Sequence, residues 1–404
     1  MNGRRTTQDF RSLLAARTGG LAASAIGEVL RLAEGPGIIP LAAGSPAPET
    51  LPTAAVARVV AGLAHASVDP LQYGDTSGLP ELRDMLAGHH QDKTGRSTTA
   101  QQVIISHGAQ QGLDLVCKAL IDPGDTVVVD RPSYVGALQV FRLYGAEVRA
   151  VPIAEDPDLE RLADLLRHRP VKAVYTVPDF ANPTGRTLSI KQRTALSDLA
   201  ERHGFLIIED TPYSELYFTS TVPRPPLAAL SDRVIALGSF SKVLFPAARL
   251  GHVTAPRELA QVLHTVKQAA DLGNSALLQY VALALLREPG LLREQVERAR
   301  VVYQERRDVL MDALRVFEGA LSYEPPDGGF FLWAHLPTHL DAEALLAEAL
   351  AEKVSFIPGA AFFPGSADRS ALRLSYSCAP LTSLPEAAGR LHRAYLRLAG
   401  RKPC

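Results

Sequence analysis

Short apolar runs that alternate with longer helix-like segments constrain the fold of this chain more than any other feature. Such runs are typical of strands buried on both faces of a parallel sheet. The segments between them, such as Gln110–Leu120 and Ile190–Arg202, carry apolar residues at helical spacing. The alternation predicts an α/β architecture with a mainly parallel sheet between helices. The runs are Val103-Ile104-Ile105, Val127-Val128-Val129, Ala173-Val174-Tyr175, Leu206-Ile207-Ile208 and Val234-Ile235-Ala236-Leu237.

The last third of the chain has a different pattern. A long, charged segment of helical character covers Leu291–Arg315, and turns rich in proline and glycine follow at Pro325–Gly329 and Pro358-Gly359. We therefore predict a second, smaller α+β domain in this region.

Composition excludes several classes of protein. With 404 residues the chain is long enough for a large core and more than one domain. Its 42 basic and 43 acidic residues do not favour nucleic acid or an anionic membrane surface as a partner. Polar residues follow Met1-Asn2-Gly3-Arg4-Arg5, and no apolar stretch approaches the length of a membrane span. We expect a cytoplasmic protein.

The cysteines fit this expectation. Cys117, Cys378 and Cys404 are widely separated and match neither a metal-ligand spacing nor a disulfide framework. We expect a reducing compartment and no bound metal.

A short segment after the last apolar run brings three chemical groups together. Gly238-Ser239-Phe240-Ser241-Lys242, with Arg249 seven residues on, offers an amine, hydroxyls and a permanent cation. Lysine forms Schiff bases when its ammonium group deprotonates easily, and arginine binds phosphate oxygens in a planar fork. The combination suits a phosphorylated aldehyde.

The same segment also fits a different class of enzyme. Ser239-Phe240-Ser241-Lys242 matches the Ser-x-x-Lys pattern of penicillin-binding proteins, and Lys93-Thr94-Gly95 matches their Lys-Thr-Gly triplet. In that class the triplet follows the nucleophile and a Ser-Asp-Asn element lies between them. Here the triplet comes first and Ser-Asp-Asn is absent, which argues against an acyl-serine hydrolase.

Polar and glycine-rich residues follow each apolar run. Ligands of open parallel sheets gather at the carboxyl ends of the strands, so these residues are candidates for one shared site. The first group is a strand that passes through glycine into a helix, whose free amides suit a phosphate. The groups are Ser106-His107-Gly108-Ala109-Gln110-Gln111-Gly112, Asp130-Arg131-Pro132-Ser133-Tyr134, Phe180-Ala181-Asn182-Pro183-Thr184-Gly185 and Glu209-Asp210-Thr211-Pro212-Tyr213.

With these motifs in order, nearly the whole chain resembles a fold-type I aminotransferase of class I/II, which uses pyridoxal phosphate. Within that family it is similar to the branch of 2-aminoadipate and kynurenine aminotransferases, which also supplied the enzyme-like half of the MocR-type regulators. The motifs are Gly44-Ser45-Pro46, Tyr73-Gly74-Asp75-Thr76-Ser77-Gly78-Leu79, Asn182-Pro183-Thr184-Gly185, Asp210-Thr211-Pro212-Tyr213, Ser239-Phe240-Ser241-Lys242, Pro326-Asp327-Gly328-Gly329-Phe330-Phe331-Leu332-Trp333, Phe356-Ile357-Pro358-Gly359 and Leu372-Arg373-Leu374-Ser375.

The resemblance implies a large domain with a mainly parallel, seven-stranded sheet between helices, and a smaller α+β domain. On this basis we expect residues 1–54 to form a segment that covers the active site and joins the small domain. Residues 55–290 would form the large cofactor-binding domain, and residues 291–404 the small domain.

The resemblance also implies roles for the candidate residues. Lys242 forms the internal aldimine and then moves a proton at the substrate, and Asp210 keeps the pyridine nitrogen protonated. Glu209 points to the opposite side of its strand, which suggests a structural role. The remaining cofactor contacts are Tyr213 and Asn182 to the phenolic oxygen, Tyr134 stacked on the ring, and Gly108, Ala109, Gln110, Ser239, Ser241 and Arg249 around the phosphate.

Two further roles concern the substrate and a second subunit. Arg373 matches the family's arginine for the substrate α-carboxylate, which Asn182 shares, and the backbone of Gly44 lies close by. A bidentate arginine–carboxylate pair fixes the orientation of the substrate Cα. Tyr73 matches a tyrosine that reaches the phosphate of the neighbouring subunit, which implies a homodimer with shared active sites.

The chain departs from the family pattern at a position that bears on specificity. Gly27, in the segment Ala25–Arg31, stands where 2-aminoadipate enzymes carry an arginine for the distal carboxylate. An acidic side chain is therefore not expected in the preferred substrate, and the space at Gly27 suits a larger neutral, aromatic or cationic side chain. Arg31, one turn on, is a candidate substitute, but a solvated arginine is the favoured interpretation. Smaller departures are Ala181, where relatives often have glutamine, and Thr211, where they often have aspartate.

Two alternatives differ from an aminotransferase. A MocR-type regulator needs a winged-helix domain ahead of this unit, and we expect none because only about 40 residues precede Leu41. Racemases, decarboxylases, cyclases and amino-acid oxidases of related fold share the lysine, aspartate and arginine, and no motif decides between these reactions at Cα. We expect transamination, because the family residues for it are all present. The amino donor, the acceptor and the pathway also stay open.

Overall fold

A computed structural model of the chain describes residue 10 and residues 13–19, 27, 29, 31–32, 35–63, 68–218 and 221–400. The strands are β1 (Ile39–Pro40), β2 (Val103–Ser106), β3 (Thr126–Asp130), β4 (Glu147–Val151), β5 (Ala173–Thr176), β6 (Leu206–Asp210), β7 (Val234–Ser239), β8 (Gly251–Thr254), β9 (Ser322–Tyr323), β10 (Phe331–His335), β11 (Val354–Ser355), β12 (Ile357–Pro358) and β13 (Ala371–Ser375).

The α-helices are α1 (Thr53–Leu63), α2 (Pro80–Thr94), α3 (Gly108–Leu120), α4 (Val135–Leu143), α5 (Glu160–His168), α6 (Ile190–His203), α7 (Leu227–Leu230), α8 (Arg257–Asp271), α9 (Ala276–Arg287), α10 (Leu291–Ala313), α11 (Ala342–Ala351) and α12 (Leu384–Ala399). Short 3₁₀ helices cover Ala16–Thr18, Pro48–Thr50, Asp69–Leu71, Ala100–Gln102, Pro246–Ala248, Leu314–Phe317, Gly359–Phe362 and Leu381–Ser383.

A seven-stranded sheet forms the centre of the molecule, in the order β2-β8-β7-β6-β5-β3-β4. Neighbouring strands from β7 to β4 are parallel, and β8 is antiparallel to both of its neighbours. All five predicted strands lie in this sheet, and β4 and β8 complete it. The predicted α/β class and the mainly parallel sheet are confirmed.

The apolar runs are buried on both faces because helices cover both faces of the sheet. Along β3, Val127 and Val129 pack in a cluster with Leu113 of α3, whereas Val128 packs in another cluster with Leu196 of α6. Successive side chains of a strand point to opposite faces, so a continuous apolar run fills both layers.

Capping residues explain where the second predicted helix begins and ends. Ser189 accepts a hydrogen bond from the amide of Gln192, and the Gln192 side chain accepts one from the Ser189 amide. This capping box satisfies two amides that the first turn leaves free. The helix ends before Gly204, whose φ of 79° suits glycine. It therefore covers Ile190–His203, one residue beyond the prediction.

The C-terminal region contains a separate antiparallel sheet, in the order β12-β13-β10-β9. Leu332 of β10 and Leu374 of β13 pack with Tyr303 of α10 and Leu391 of α12 in one core cluster. The predicted long helix ends at Ala313, and the 3₁₀ turn Leu314–Phe317 follows it. The predicted smaller α+β unit is therefore present.

The N-terminal segment is attached to this second unit. Strand β1 pairs in parallel with β11, where Ile39 lies opposite Val354. The Ser375 amide donates to the carbonyl of Leu41 at 2.8 Å. Together with the hydrogen bond from Lys242 to the Gly44 carbonyl oxygen, these contacts place Leu41 and Gly44 between the C-terminal sheet and the turn after β7.

Across the described residues, no helix combines the length and the apolar character needed to cross a lipid bilayer.

Candidate active site

The carboxyl ends of the parallel strands meet at one edge of the central sheet. Asp210 ends β6 and Ser239 ends the adjacent β7. Gly251 pairs with Ser239 on one side and with Ser106 on the other. This register brings the turn from β2 into α3 next to the end of β7, as the topology of a parallel sheet predicts.

Glycines allow an unusually close approach of the backbone at this turn. A Cβ atom on Gly251 would lie 2.7 Å from the carbonyl carbon of Gly108. Gly108 itself has a φ of 75°, and a Cβ there would lie 3.2 Å from Nη2 of Arg249. Side chains at either position would fill the space in front of the helix.

That space carries positive charge. Ala109 and Gln110 lie in the first turn of α3, where helix amides have no partner within the helix. The Arg249 side chain is exposed, and its Nη2 atom is 3.4 Å from the carbonyl oxygen of His107. Among the described residues, no carboxylate forms an ion pair with Arg249. Free amides and an unpaired guanidinium group together suit a phosphate dianion.

Two serines border the same space. The Ser239 hydroxyl accepts a hydrogen bond from the Ser241 amide at 3.2 Å, which leaves its own hydrogen available to donate. Ser239 is half-buried and Ser241 is buried.

Lys242 points from this turn towards the N-terminal segment. Its Nζ donates to the carbonyl oxygen of Gly44 at 2.8 Å and lies 5.5 Å from the centre of the Phe330 ring. Burial, followed by the nearby guanidinium groups of Arg373 and Arg249, lowers the pKa of Lys242 to about 8. A sizeable fraction of the amine is therefore neutral near physiological pH, as a nucleophile or base requires.

Asp210 is a buried carboxylate in which one oxygen atom has no hydrogen-bond partner among the described residues. The hydroxyl of Tyr175 donates to Oδ2 at 2.7 Å, whereas Oδ1 has no hydrogen-bond partner among the described residues. Burial raises the pKa of Asp210 to about 6, and the Tyr175 hydrogen bond opposes that rise. An unpaired buried carboxylate oxygen is costly, so this geometry calls for a ligand donor such as a protonated ring nitrogen.

Glu209 lies on the opposite face of β6, as its position next to Asp210 predicts. Its two carboxylate oxygens accept hydrogen bonds from the amides of Leu227 and Ala228, at 2.7 and 3.1 Å. Glu209 therefore holds helix α7 against the sheet, away from the candidate site.

Arg373 lies on β13 of the second sheet and is buried without a carboxylate partner in the described part of the chain. Its Nη1 donates to Oδ1 of Asn182 at 2.7 Å, and its Nη2 donates to the carbonyl oxygen of Ala42 at 2.6 Å. The guanidinium group lies close to two rings, 4.2 Å from the centre of Phe331 and 5.1 Å from that of Phe362.

Neutral partners leave the charge of Arg373 uncompensated. Burial lowers the pKa of Arg373 to about 10, so the guanidinium group stays protonated at neutral pH. A buried, rigid, unpaired guanidinium fork is suited to a carboxylate that arrives with a ligand.

Asn182 and Tyr213 lie together beside Arg373. Burial raises the pKa of Tyr213, and a hydrogen bond with Asn182 opposes that rise. The Tyr213 ring packs edge-on against Phe330 and Phe331, with ring centres 5.5 and 5.9 Å apart. These ring contacts fix the orientation of the Tyr213 ring.

The Phe331 ring leaves little room for a side chain at Gly44. A Cβ atom there would lie 2.7 Å from Cζ of Phe331. Its carbonyl oxygen accepts the hydrogen bond from Lys242, so Gly44 links the N-terminal segment to the turn after β7.

Tyr134 lies at the start of α4, half-buried, and Asp210, Arg373 and Arg249 all act on its pKa electrostatically. Burial is the main cause that raises the pKa of Tyr134. Gln110 in the first turn of α3 donates through Nε2 to the Gly136 carbonyl oxygen at 3.0 Å, which ties α3 to α4.

The structure thus brings together the residues predicted to bind the substrate and the cofactor, with one exception. Tyr73 is 91% exposed, and no hydrogen bond or ring contact in the described residues joins it to the others. Gly27 and Arg31 are also exposed, in a helical segment of which neighbouring residues lie outside the described part.

Sequence reasoning missed three aromatic contributors to the site. Tyr175 belongs to an apolar run of the sequence, and the family resemblance implies no role for Phe331 or Phe362. A tyrosine inside an otherwise aliphatic run, on the strand next to that of Asp210, is the signal that could have identified Tyr175. The contacts of Phe331 and Phe362 with Arg373 join residues far apart in sequence, and no local pattern indicates them.

Within the described part of the chain, no group of three or more histidine, cysteine, aspartate or glutamate residues is arranged to hold a metal ion.

Comparison with known proteins agrees with this geometry. Residues 36–391 match the family Aminotransferase class I and II. The aromatic-amino-acid aminotransferase 1 of Thermococcus litoralis is 35% identical over 95% of this chain and 94% of its own length. The 2-aminoadipate transaminase of Thermus thermophilus is 38% identical over 93% of this chain and 94% of its own length.

A solved structure shows the same fold with a cofactor derivative. The α-aminoadipate aminotransferase LysN of Thermus thermophilus, complexed with N-(5′-phosphopyridoxyl)-L-leucine, superposes with a TM-score of 0.90. It is 36% identical, and the match covers 97% of this chain and 99% of that one. All three relatives are named for amino-group transfer, which supports transfer over the oxidase, cyclase and decarboxylase reactions.

The residues of this chain fit the same cofactor. The unpaired Oδ1 of Asp210 and the glycine-lined space before α3 are suited to a pyridine nitrogen and a phosphate group. This chain is a member of the class I and II aminotransferase family, an enzyme of fold type I that transfers amino groups with pyridoxal 5′-phosphate as its cofactor.

Proposed function

We propose that this enzyme exchanges the amino group between an L-amino acid with a neutral, apolar or aromatic side chain and a 2-oxo acid. The observation that carries this proposal is the apolar cluster beside Arg373. The cluster contains Ala42, whose carbonyl oxygen binds Arg373, and Phe362, whose ring stacks on it. Its other members are Val29, Trp333, Ile357 and Ala371, with Val135, Leu346, Ala361 and Phe363 packed against it.

We assign the substrate contacts from the unpaired charges. The Arg373 guanidinium group binds the α-carboxylate, and Asn182, which already accepts from Nη1, holds the fork in place. The Gly44 carbonyl oxygen orients the Lys242 amine, which moves a proton at the substrate Cα when it is neutral. Pyridoxal phosphate, when bound, supplies the aldehyde and the electron-withdrawing ring that acidify the Cα–H bond.

The cofactor contacts follow from the same edge of the sheet. The phosphate would be held by Arg249, Ser239, Ser241 and the amides of Ala109 and Gln110, next to Gly108. Asp210 would hold the ring nitrogen through Oδ1, Tyr213 and Asn182 would donate to the phenolic oxygen, and Tyr134 would pack on the ring.

The charges near the cluster favour a neutral side chain. Val29 of the N-terminal segment is buried in the cluster, whereas Gly27 has no side chain to offer a charge. Arg131 lies at the outer edge, where its guanidinium group is 5.8 Å from the centre of the Phe363 ring and donates to the Ser366 carbonyl oxygen. A distal carboxylate inside the cluster would lose its hydration without gaining a buried partner.

We expect phenylalanine and leucine to exceed glutamate and 2-aminoadipate in kcat/KM by roughly tenfold or more, because an unsatisfied carboxylate carries at least that penalty. The measurement is a spectral titration of the bound cofactor with each amino acid, followed by recovery of the original spectrum with a panel of 2-oxo acids. The variant Gly27→Arg is the matched comparison, and it should gain activity selectively with 2-aminoadipate. Equal or higher kcat/KM for the acidic substrates in the unaltered enzyme would overturn the proposed side-chain class.

We further propose the domain division 1–54, 55–290 and 291–404, which the pairing of β1 with β11 and the separate C-terminal sheet support. A cytoplasmic location fits the free thiols of Cys117 and Cys378. Cys404 lies outside the described residues.

We propose that the active enzyme is a homodimer in which Tyr73 reaches the partner's phosphate site. Tyr73 and Leu71 are 91% and 81% exposed. Val68, close to them in sequence, and Leu272, in a neighbouring segment, are also exposed. The hydroxyl of Thr76 donates to the Leu272 carbonyl oxygen at 2.9 Å, so these two segments form one patch. A patch of large apolar side chains of this kind is typical of an interface.

Mixed dimers provide the test of this arrangement. Neither Tyr73→Ala nor Lys242→Ala homodimers should be fully active, but a mixture refolded together should regain activity, because one site per mixed dimer contains both residues. Molar mass from light scattering gives the oligomeric state independently. Activity that does not rise above the sum of the separate variants would show that Tyr73 acts within its own subunit or not at all.

A further inference from the structure

Tyr175 and Asp210 lie on adjacent parallel strands of the central sheet. In the register of β5 with β6, Tyr175 is paired with Ile208. Asp210 is two residues beyond Ile208, so its side chain points to the same face as that of Tyr175. This diagonal relation lets a long side chain on β5 reach the end of β6.

The two side chains are joined by one short, buried hydrogen bond. The Tyr175 hydroxyl donates to Oδ2 of Asp210 at 2.7 Å, and Oδ1 stays without a partner among the described residues. The Tyr175 ring is fully buried and packs edge-on against Phe141, with ring centres 5.7 Å apart. A buried ring in this contact has little freedom, so its hydroxyl fixes the rotation of the carboxyl group.

The bond also bears on the charge of Asp210. No other side chain in the described residues donates a hydrogen bond to this carboxylate, whose burial disfavours the ionised form. Burial, and then the negative charge of Asp210, hold the pKa of Tyr175 well above its usual value. Tyr175 therefore keeps its proton and serves as a donor, which stabilises the carboxylate.

We propose that Tyr175 is a positioning residue, which holds Asp210 through Oδ2 so that Oδ1 faces the pyridine nitrogen of the cofactor as an anion. This inference rests on the role proposed above for Asp210. It assigns to Tyr175 no contact with the cofactor or the substrate, only control of the group that binds the ring nitrogen.

The experiment compares two ligands of the full-length, cofactor-free protein. One is pyridoxal phosphate, and the other is its 1-deaza analogue, in which a C–H group replaces the ring nitrogen. We expect Tyr175→Phe to raise the dissociation constant of pyridoxal phosphate by roughly ten- to hundredfold, as loss of a hydrogen bond to a charged group predicts. The dissociation constant of the analogue should change little, because it cannot use Asp210.

Tyr144→Phe is the matched control. The Tyr144 hydroxyl also donates to an aspartate, Oδ1 of Asp114 at 2.9 Å, but away from the site. This variant should leave both dissociation constants unchanged. Thermal unfolding of the cofactor-free Tyr175→Phe protein tests for general damage, which the retained ring should limit.

Two outcomes overturn the inference: an unchanged dissociation constant for pyridoxal phosphate in Tyr175→Phe, or an equal rise for both ligands. Asp210→Asn separates this failure from a failure of the underlying assignment. If Asp210→Asn removes the preference for pyridoxal phosphate over the analogue but Tyr175→Phe does not, only the role of Tyr175 is wrong. If Asp210→Asn leaves the preference intact, the role proposed for Asp210 is wrong as well.

Discussion

Replacement of Lys242 by alanine is expected to lower kcat by about four orders of magnitude, the upper range for loss of a positioned base that also serves as a nucleophile. Lys242 is held by the Gly44 carbonyl oxygen beside Phe330, in an environment that lowers its pKa to about 8. As the pH rises through that value, the neutral fraction of the amine grows. No other described lysine combines these properties with a place at the carboxyl edge of the sheet.

The measurement is the rate of amino transfer with the best donor and acceptor pair, in saturating cofactor. Lys242→Arg should be as inactive as Lys242→Ala, because a guanidinium group does not deprotonate at working pH. Small primary amines added to Lys242→Ala should restore part of the rate, since they replace the missing base. They should not restore Lys242→Arg, where a fixed cation occupies the space.

Lys93→Ala is a useful control because Lys93 belongs to the Lys-Thr-Gly triplet that also suggested a serine hydrolase. Lys93 is on helix α2, where its ammonium group pairs with Glu215. We expect its replacement to leave amino transfer unchanged. If Lys93→Ala lost as much activity as Lys242→Ala, or if Lys242→Ala kept more than about a tenth of the rate, the assignment of the catalytic lysine would be wrong.

The buried strands were predictable because a parallel sheet covered on both faces needs continuous apolar runs. Strand β4 could not be predicted from an apolar run, because it lies at the edge of the sheet and mixes Glu147 and Arg149 with valines. Strand β8 could not be predicted either, because Gly251 and His252 prevent a continuous apolar run. Gly251 is required there by the close approach of Gly108, a contact between distant parts of the chain.

The candidate site was predictable where function requires residues at strand ends or in recognisable motifs. Asp210, Lys242 and Arg249 are of this kind. The supporting residues were not predictable, because Tyr175 and Phe331 resemble ordinary core residues in their own segments. Only the packed structure shows that Tyr175 donates a hydrogen bond to Asp210 and that Phe331 lies against the Arg373 guanidinium group.

Replacement of Arg373 by alanine is expected to lower kcat/KM for amino acids by about 100- to 1000-fold, as for removal of one partner of a desolvated charge pair. The fork is held by Asn182 and Ala42 and has no carboxylate partner among the described residues. A substrate α-carboxylate would therefore supply its missing counter-charge. The alanine variant would leave that carboxylate buried and unpaired, next to the ring of Phe331.

The diagnostic comparison is between an amino acid and the matching amine, such as phenylalanine and phenethylamine. The amine has no α-carboxylate, so Arg373→Ala should reduce its slow reaction far less than that of phenylalanine. Arg373→Lys should keep part of the activity, because an ammonium group supplies charge but cannot reproduce the fork that spans Asn182 and Ala42.

A second stacked arginine separates this specific loss from a general loss of packing. The Arg307 guanidinium group lies 4.6 Å from the centre of the Phe218 ring and donates to the Pro326 carbonyl oxygen at 2.7 Å. Arg307→Ala removes a similar stacking contact away from the site and should leave the ratio of the two substrates unchanged. If Arg373→Ala slowed phenylalanine and phenethylamine by the same factor, Arg373 would support the fold and some other group would bind the carboxylate.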